Sequence, residues 1–388
     1  MRMLLAVFLL SVVPVRMAEA QQTITDVLSF LMTNRSIPTD DFVGDEQAAI
    51  ATSNAIASLF VLDLASLPSS SASGFTYRLD PALGTPVRAS ESFGPIFTQR
   101  SLLAGQNYAS FGVSYRTTNF TSIDGRSLRD GTLVSTASIL RGDTAPFDVE
   151  TVSLRIRTDT MTIIGSYGIT DRLDISAGIP FVHLSLQGER VDNYRGRRLL
   201  QARGTASSSG FGDVVVRSRY NVLDQGASGL SIGAEVRLPT GSEENLLGAG
   251  EMAFTPRLIG SVEHDRVGMH GEFGYSFDKI SNALVYSAAV TVAPASRVTV
   301  IGEFLGRRLE GLGRLVEAVQ PNPRLSGVDT IRLTSSGETT DRLTLVGGVK
   351  WNVASTWLVT ASVLRSLTTV GLNADWVPTI TFDGWFGR

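Results

Sequence analysis

Leu230-Ser231-Ile232-Gly233-Ala234-Glu235-Val236-Arg237-Leu238 reads as one strand with two chemistries. Successive side chains of a strand point to opposite sides, so Leu230, Ile232, Ala234, Val236 and Leu238 share one face and Ser231, Gly233, Glu235 and Arg237 share the other. The pattern recurs on both sides of this stretch. Val267, Met269, Gly271, Phe273, Tyr275 and Phe277 oppose Gly268, His270, Glu272, Gly274 and Ser276; Val214, Val216, Ser218 and Tyr220 oppose Val215, Arg217, Arg219 and Asn221. Nearer the C-terminus, Leu343, Leu345, Gly347, Val349 and Trp351 oppose Thr344, Val346, Gly348, Lys350 and Asn352. Repeated dyads of roughly ten residues, apolar on one side and polar on the other, are the pattern of a transmembrane β-barrel.

The connections support this reading. Short turns are expected at Thr170-Asp171, 224–228, Asp265-Arg266, 294–296 and 354–356. Longer connections, at about 120–147, 187–210, 239–252 and 306–341, tend to alternate with them, and 278–282 and 366–370 are shorter exceptions. Alternating short and long loops correspond to periplasmic turns and extracellular loops. Counting from Tyr108, the pattern predicts an all-β fold: an antiparallel transmembrane barrel of about twelve strands, with both termini on the periplasmic side. A further hairpin from 75–79 and 87–98 makes the alternative count of about fourteen. A secreted sandwich also alternates, but it does not require alternating loop lengths. Trp351, Trp357, Trp376, Trp385 and Phe386 sit near strand ends, where aromatic rings straddle a membrane interface.

The N-terminus reads differently. Arg2, the apolar run 4–13 and Ala18-Glu19-Ala20 make a secretory signal over residues 1–20, too short for the roughly 20 apolar residues of a spanning helix. Residues 21–74 are expected to form a short helical segment and linker. Ile24, Val27, Leu28 and Leu31 repeat at helical spacing, a second helix runs from Asp41 to about Leu67, and the Ser- and Ala-rich stretch 68–74 connects onward. This segment is expected to be a plug inside the barrel or a periplasmic cap, with residues 75–388 as the barrel itself. Export and the absence of cysteine fit the periplasm or outer membrane without disulfides, and the net charge of -3 gives no basic excess for nucleic acid.

With the apolar faces toward lipid, parity places Arg217, Arg219, Glu235, Arg237, Arg257, Glu263, His270, Glu272, Glu303 and Lys350 in the lumen. The lining has mixed sign. Arg217 or Arg219 is placed to pair with Glu235, and Arg257 or Glu263 to neighbour Glu272. Such a network either stiffens the barrel or forms a constriction that orients polar solutes. Catalytic signals are thin: the three histidines, His183, His264 and His270, show no metal-ligand spacing, and only His183, two residues before Ser185, loosely suggests nucleophilic chemistry. No enzyme activity, metal or cofactor is expected.

The stretch Tyr167-Gly168-Ile169-Thr170-Asp171-Arg172-Leu173-Asp174-Ile175-Ser176-Ala177-Gly178-Ile179-Pro180, with Gly212-Asp213-Val214 and Arg237-Leu238-Pro239-Thr240-Gly241, resembles the outer-membrane family associated with the meta-pathway of phenol degradation. The resemblance covers roughly Thr151 to the C-terminus. It implies kinship in outline with fatty-acid and aromatic-hydrocarbon channels, and hence a passive outer-membrane channel for small hydrophobic or aromatic molecules. The alternative is a non-transporting structural or adhesive barrel. Expected partners are outer-membrane lipid, a small hydrophobic solute and the barrel-assembly machinery.

Overall fold

Twelve strands with alternating faces can satisfy every backbone group only by closing on themselves, and they do. The computed structural model describes residues 22–32, 46–65, 77–80, 85–88, 90–103, 105–226, 228–354 and 356–387. The barrel strands are β1 (Tyr108–Phe120), β2 (Asp148–Thr170), β3 (Leu173–Tyr194), β4 (Val214–Asp224), β5 (Ser228–Leu238), β6 (Ala253–His264), β7 (Val267–Ser276), β8 (Ala283–Ala295), β9 (Val298–Leu309), β10 (Thr340–Ala354), β11 (Trp357–Ser366) and β12 (Val377–Gly387). Each pairs antiparallel with its neighbours in sequence, and β12 returns to β1 through a register running from Thr379↔Arg116 to Gly387↔Tyr108. The result is a closed barrel of twelve strands.

The candidate extra hairpin does not enter this barrel. Tyr77–Asp80 pairs with Thr85–Arg88 as a separate two-stranded sheet, and the chain then passes into the lumen instead of its wall. The signal segment 1–20 and the connector 68–74 lie outside the described residues.

The long connections are not plain loops. Leu133–Leu140 pairs with the N-terminal part of β2, Val328–Ser335 pairs with Leu133–Leu140, and Leu315–Pro321 adds outside it. On the other side, Arg197–Phe211 pairs with the C-terminal half of β3. These strands carry β2 and β3 beyond the barrel as a sheet extension at the long-loop end. Two helices, α1 (Ile24–Met32) and α2 (Glu46–Ala65), pack on its inner face. The α1 helix presents Ile24, Val27, Leu28 and Leu31, all fully buried, to β3 and the following strand, and Thr25 N–H donates to the Glu244 carbonyl in the β5–β6 loop. From α2, the Thr52 hydroxyl donates to the Ser135 carbonyl and accepts from Leu333 N–H. Ile56, Leu59 and Phe60 join Val152, Leu154, Leu184, Leu186 and Leu333 in one apolar core.

Around the barrel proper the arrangement is reversed. Phe111, Ile163, Ile175, Ile232, Leu258, Phe273, Val290, Leu345 and Phe382 all point outward and exposed, forming an apolar belt. Trp351 and Trp376 lie exposed with it, whereas Trp385 turns inward against Phe93 and Leu358 and helps close the short-turn end. Among the described residues, no helix is long and apolar enough to cross a membrane, so the strands carry the crossing.

Candidate functional site

The short-turn half of the lumen is filled by chain with no regular secondary structure. Residues 92–103 are all buried, although none belongs to a helix or strand. A buried coil must find partners for its backbone polar groups, and here the barrel wall supplies them. Glu303 receives the N–H groups of Ile96, Phe97 and Thr98 and the Thr98 hydroxyl. The Lys350 ammonium donates to the carbonyls of Phe93 and Pro95, at 3.2 and 2.6 Å. Phe93 N–H donates to Thr299 Oγ1, and Ser101 N–H to Ser261 Oγ. Arg219 donates to the Arg100 carbonyl, while Asn221 and Ser231 both donate to that of Ser101. Gly94, at φ 69°, makes the bend, and a Cβ there would press on the Arg100 guanidinium at 3.3 Å.

Side chains lock the same segment. Arg100 meets Glu263 at 2.5 Å with both side chains buried, and the Ser92 hydroxyl lies 2.9 Å from Thr291 Oγ1. His270 braces this contact from behind: Nδ1 lies 3.0 Å from Ser261 Oγ, Nε2 lies 3.3 Å from Thr291 Oγ1, and Nε2 is 4.0 Å from Glu263. Ile96 and Phe97 pack on Ile301, Val346 and Leu364 of the wall.

Above the segment runs a ladder of charges. Arg217 is directly opposite Glu235 on the neighbouring strand and bonds it at 2.6 Å. Arg257 reaches Glu235 at 3.1 Å and Glu272 at 3.0 Å, bridging three strands. Arg219 faces Asp174 across β4 and β3 at 2.5 Å, and Arg237 is held by Asp278 at 2.6 Å and Asp213 at 3.6 Å. In the structure the ten residues singled out by parity lie against the buried segment or around the space above it. They form two groups. Arg219, Glu263, His270, Glu303 and Lys350 grip the buried segment or its hydroxyl partners, and Arg217, Glu235, Arg237 and Arg257 line the space above. Glu272 serves both, accepting from Gln99 N–H and from Arg257.

That space is a cavity of about 220 Å³, floored by Phe97 and Gln99 and bounded toward the long-loop end by Phe120, Leu372, Ala374 and Val377. Its wall mixes the charge ladder with Tyr286, Leu305 and Leu364. It also contains Arg116, Arg307 and Arg342, which were not among the expected lumen residues. Parity alone would have found all three: Arg116 shares a face with Ser110 and Ser114, Arg307 with Glu303, and Arg342 with Thr344. The floor carried no such signal, since residues 90–103 have no period and their partners lie far away in sequence. His183, the loose catalytic candidate, lies on the outer face with Nδ1 at 2.7 Å from Ser209 Oγ on the adjacent strand.

The family model described as "Putative MetA-pathway of phenol degradation" matches residues 132–371. The chain belongs to this family. As a phenol-degradation-family barrel with an apolar outer belt, an even strand count and short turns at one end, it is a protein of the cell outer membrane. No curated protein matches the sequence. Solved structures similar to this family member include an outer-membrane channel from Pseudomonas putida F1, at 10% identity over 73% of this chain and 97% of that one, with a TM-score of 0.45. A Pseudomonas aeruginosa FadL homologue matches at 9% identity over 81% and 96%, with a TM-score of 0.33. The CymD monoaromatic hydrocarbon channel matches at 9% identity over 73% and 90%, with a TM-score of 0.28.

Proposed function

We propose that this barrel is a passive outer-membrane channel for small hydrophobic or aromatic molecules. The observation that carries the reading is the cavity inside the lumen. A barrel that served only as a wall or an adhesin would gain nothing from leaving about 220 Å³ unfilled beside Phe97, Phe120, Tyr286 and Leu305. The choice of hydrophobic solute is supported by family membership and by those apolar groups.

Two elements bound the pathway in this proposal. Segment 90–103 closes the short-turn end and must shift for a solute to leave toward the periplasm. The helices α1 and α2, which sit at the long-loop end, limit entry from outside. Transport is downhill, with the charge ladder keeping the lumen wetted while the apolar groups hold the solute.

The competing reading is a non-transporting barrel, and the complete burial of residues 92–103 is the observation that favours it. Uptake of toluene by cells with and without the gene, set against uptake of a sugar of similar size, separates the two. The channel reading expects faster toluene uptake with the gene and measurable conductance of the purified protein in planar bilayers. Equal uptake in both strains and no conductance would leave the structural barrel as the better account.

A further inference from the structure

Where the strands rise past the apolar belt toward the long-loop end, their outer face turns basic and hydroxylic. On β2, Arg155 and Arg157 are exposed just beyond the outward apolar positions Met161 and Ile163. The register sets Gln187 of β3 opposite Arg155 and Ser185 opposite Arg157, and on the following strand Thr205 and Ser207 face those two in turn. One step farther along the same strands, Arg203 meets Glu189 at 2.8 Å with both side chains well exposed. Cationic forks thus alternate with amide and hydroxyl groups over three strands.

A further cation reaches this end of the barrel on β11. Arg365 is exposed on the outer face, directly opposite the exposed Leu345 and between the exposed Val363 and Leu367 of its own strand. A charge on a lipid-facing wall costs least at the interface, where it reaches polar headgroups. The Arg365 guanidinium lies 4.8 Å from the centre of the Trp376 ring, itself exposed just before β12. Stacking of this kind fixes the plane of a guanidinium and leaves its N–H edges as donors. From there β12 pairs with β1, and β1 sets the exposed Asn119 opposite Arg157, so the polar positions form one band along this side of the barrel.

The chemistry and place of the band select its occupant. Guanidinium forks match phosphate oxygens through paired N–H bonds, and serine, threonine and glutamine side chains exchange hydrogen bonds with saccharide hydroxyls. The band begins where the apolar belt stops, on the side of the long extracellular loops, so a molecule lying on it has the outward Met161, Ile163 and Phe181 directly beneath for its acyl chains. We propose that this outward band docks a phosphorylated glycolipid of the outer leaflet, with Arg155 and Arg365 holding its phosphates and Ser185 and Gln187 its sugar hydroxyls. The exposed pairs Arg157–Asp159, at 2.9 Å, and Arg203–Glu189 are of the weak, solvent-screened kind that opens toward a phosphate. The lipid docks in this way whether or not the lumen conducts.

Native mass spectrometry of the full-length protein in detergent, titrated with lipid A and with lipid A stripped of its phosphates, provides the test. The wild type is expected to hold lipid A at least about tenfold more tightly than the phosphate-free form, a factor that one or two charge-assisted hydrogen bonds supply. The double variant Arg155→Gln/Arg365→Gln is expected to lose that preference, whereas Arg266→Gln, which removes an exposed charge in a short turn at the other end of the barrel, is expected to keep it. Equal affinity of the wild type for the two lipids overturns the proposal without any variant, so a poorly folding variant does not shield it. An unchanged preference in a double variant that retains heat-modifiable gel mobility also overturns it, as does an equal loss in Arg266→Gln. Inorganic phosphate at the same concentration is expected to leave lipid A bound, and displacement by it would mark a site for the free ion and overturn the lipid assignment.

Discussion

Strands β2 and β3 run through two regions of the molecule that are built inside out with respect to each other. In the barrel, the outward residues of β2 are Met161, Ile163, Tyr167 and Ile169, each exposed, while Thr158, Thr162 and Ser166 share the inward face. Farther toward the long-loop end the same strand inverts: Arg155, Arg157 and Asp159 point outward, and Val152, Leu154 and Ile156 are buried against the helical core. β3 repeats the inversion, with Ile175, Ile179 and Phe181 outward in the barrel and Leu184 and Leu186 inward beyond it. The backbone alternates without interruption, so the switch is set by the surroundings: lipid outside and a polar lumen below, water outside and α1 and α2 inside above. Hydrophobic alternation therefore reports which side is apolar, and the point where it flips marks the membrane edge near Asp159.

The two regions should respond differently to lost charge partners, and this is the largest expected effect. Arg100→Met strands Glu263 inside the lumen and should cost about 3–5 kcal/mol of folding free energy, read by urea titration in liposomes. Loss of the outward pair Arg157–Asp159 by Arg157→Met should cost about 0–1 kcal/mol, because solvent screens it. Similar costs at both would erase the distinction between the regions.

Packing supplies the next contrast. Leu154→Ala opens the apolar core of the extension and should cost about 2–5 kcal/mol, seen as protease cleavage of the extension while heat-modifiable gel mobility of the barrel persists. Loss of both together would mean that the two regions unfold as one unit.

An arginine placed on the outward face probes the membrane edge itself. Ile163→Arg should destabilise by about 2–4 kcal/mol near the bilayer midplane, whereas Ser153→Arg, beyond the inversion, should stay within about 0.5 kcal/mol. Equal tolerance would displace the membrane edge from Asp159.

The barrel was legible because its period of two is imposed on every strand by lipid on one side and polar groups on the other. One stretch such as Leu230 to Leu238 states the rule, and parity then places Glu235, Arg237 and their neighbours inside. The extension reads as loop in the sequence, since at 187–210 the inverted pattern no longer matches the barrel dyad. The floor of the cavity was not legible for a different reason. Residues 90–103 follow no period, because many of their backbone groups are satisfied by side chains from remote strands, as Ile96 to Thr98 are by Glu303. Arg307 and Arg342 lay within reach of parity, but their opposition follows from the β9–β10 register, which no single strand reveals.

The smallest expected effect is a pH response confined to the extension. On its inner face, outside the membrane, Asp148 is pushed up by burial and by its hydrogen bond to Asp192, and burial pushes Glu150 up to about 7 despite the Arg190 charge nearby. The folded extension thus binds more protons than the unfolded one. Its stability is greatest below the ordinary carboxylate range and declines as pH rises through neutrality. Amide protection factors around 148–156, taken relative to the base-catalysed exchange of an unfolded chain at each pH, should fall from pH 5 to 9, and Asp148→Asn should flatten the trend while barrel strands keep theirs. Protection factors that rise toward high pH would reverse the assigned sign.

A solute that crosses the proposed channel must pass residues 90–103, which close the short-turn end of the lumen. The chain contains no cysteine, and Ser92 and Thr291 approach to 2.9 Å between their hydroxyl oxygens, so the pair Ser92→Cys/Thr291→Cys can fasten the segment to the wall. The most direct measurement is planar-bilayer conductance of this variant, oxidised and then reduced in the same membrane. Little or no conductance is expected when oxidised, with recovery to the wild-type level on reduction. The same conductance in both states would contradict it, because the segment would then not lie in the path of the permeating solute.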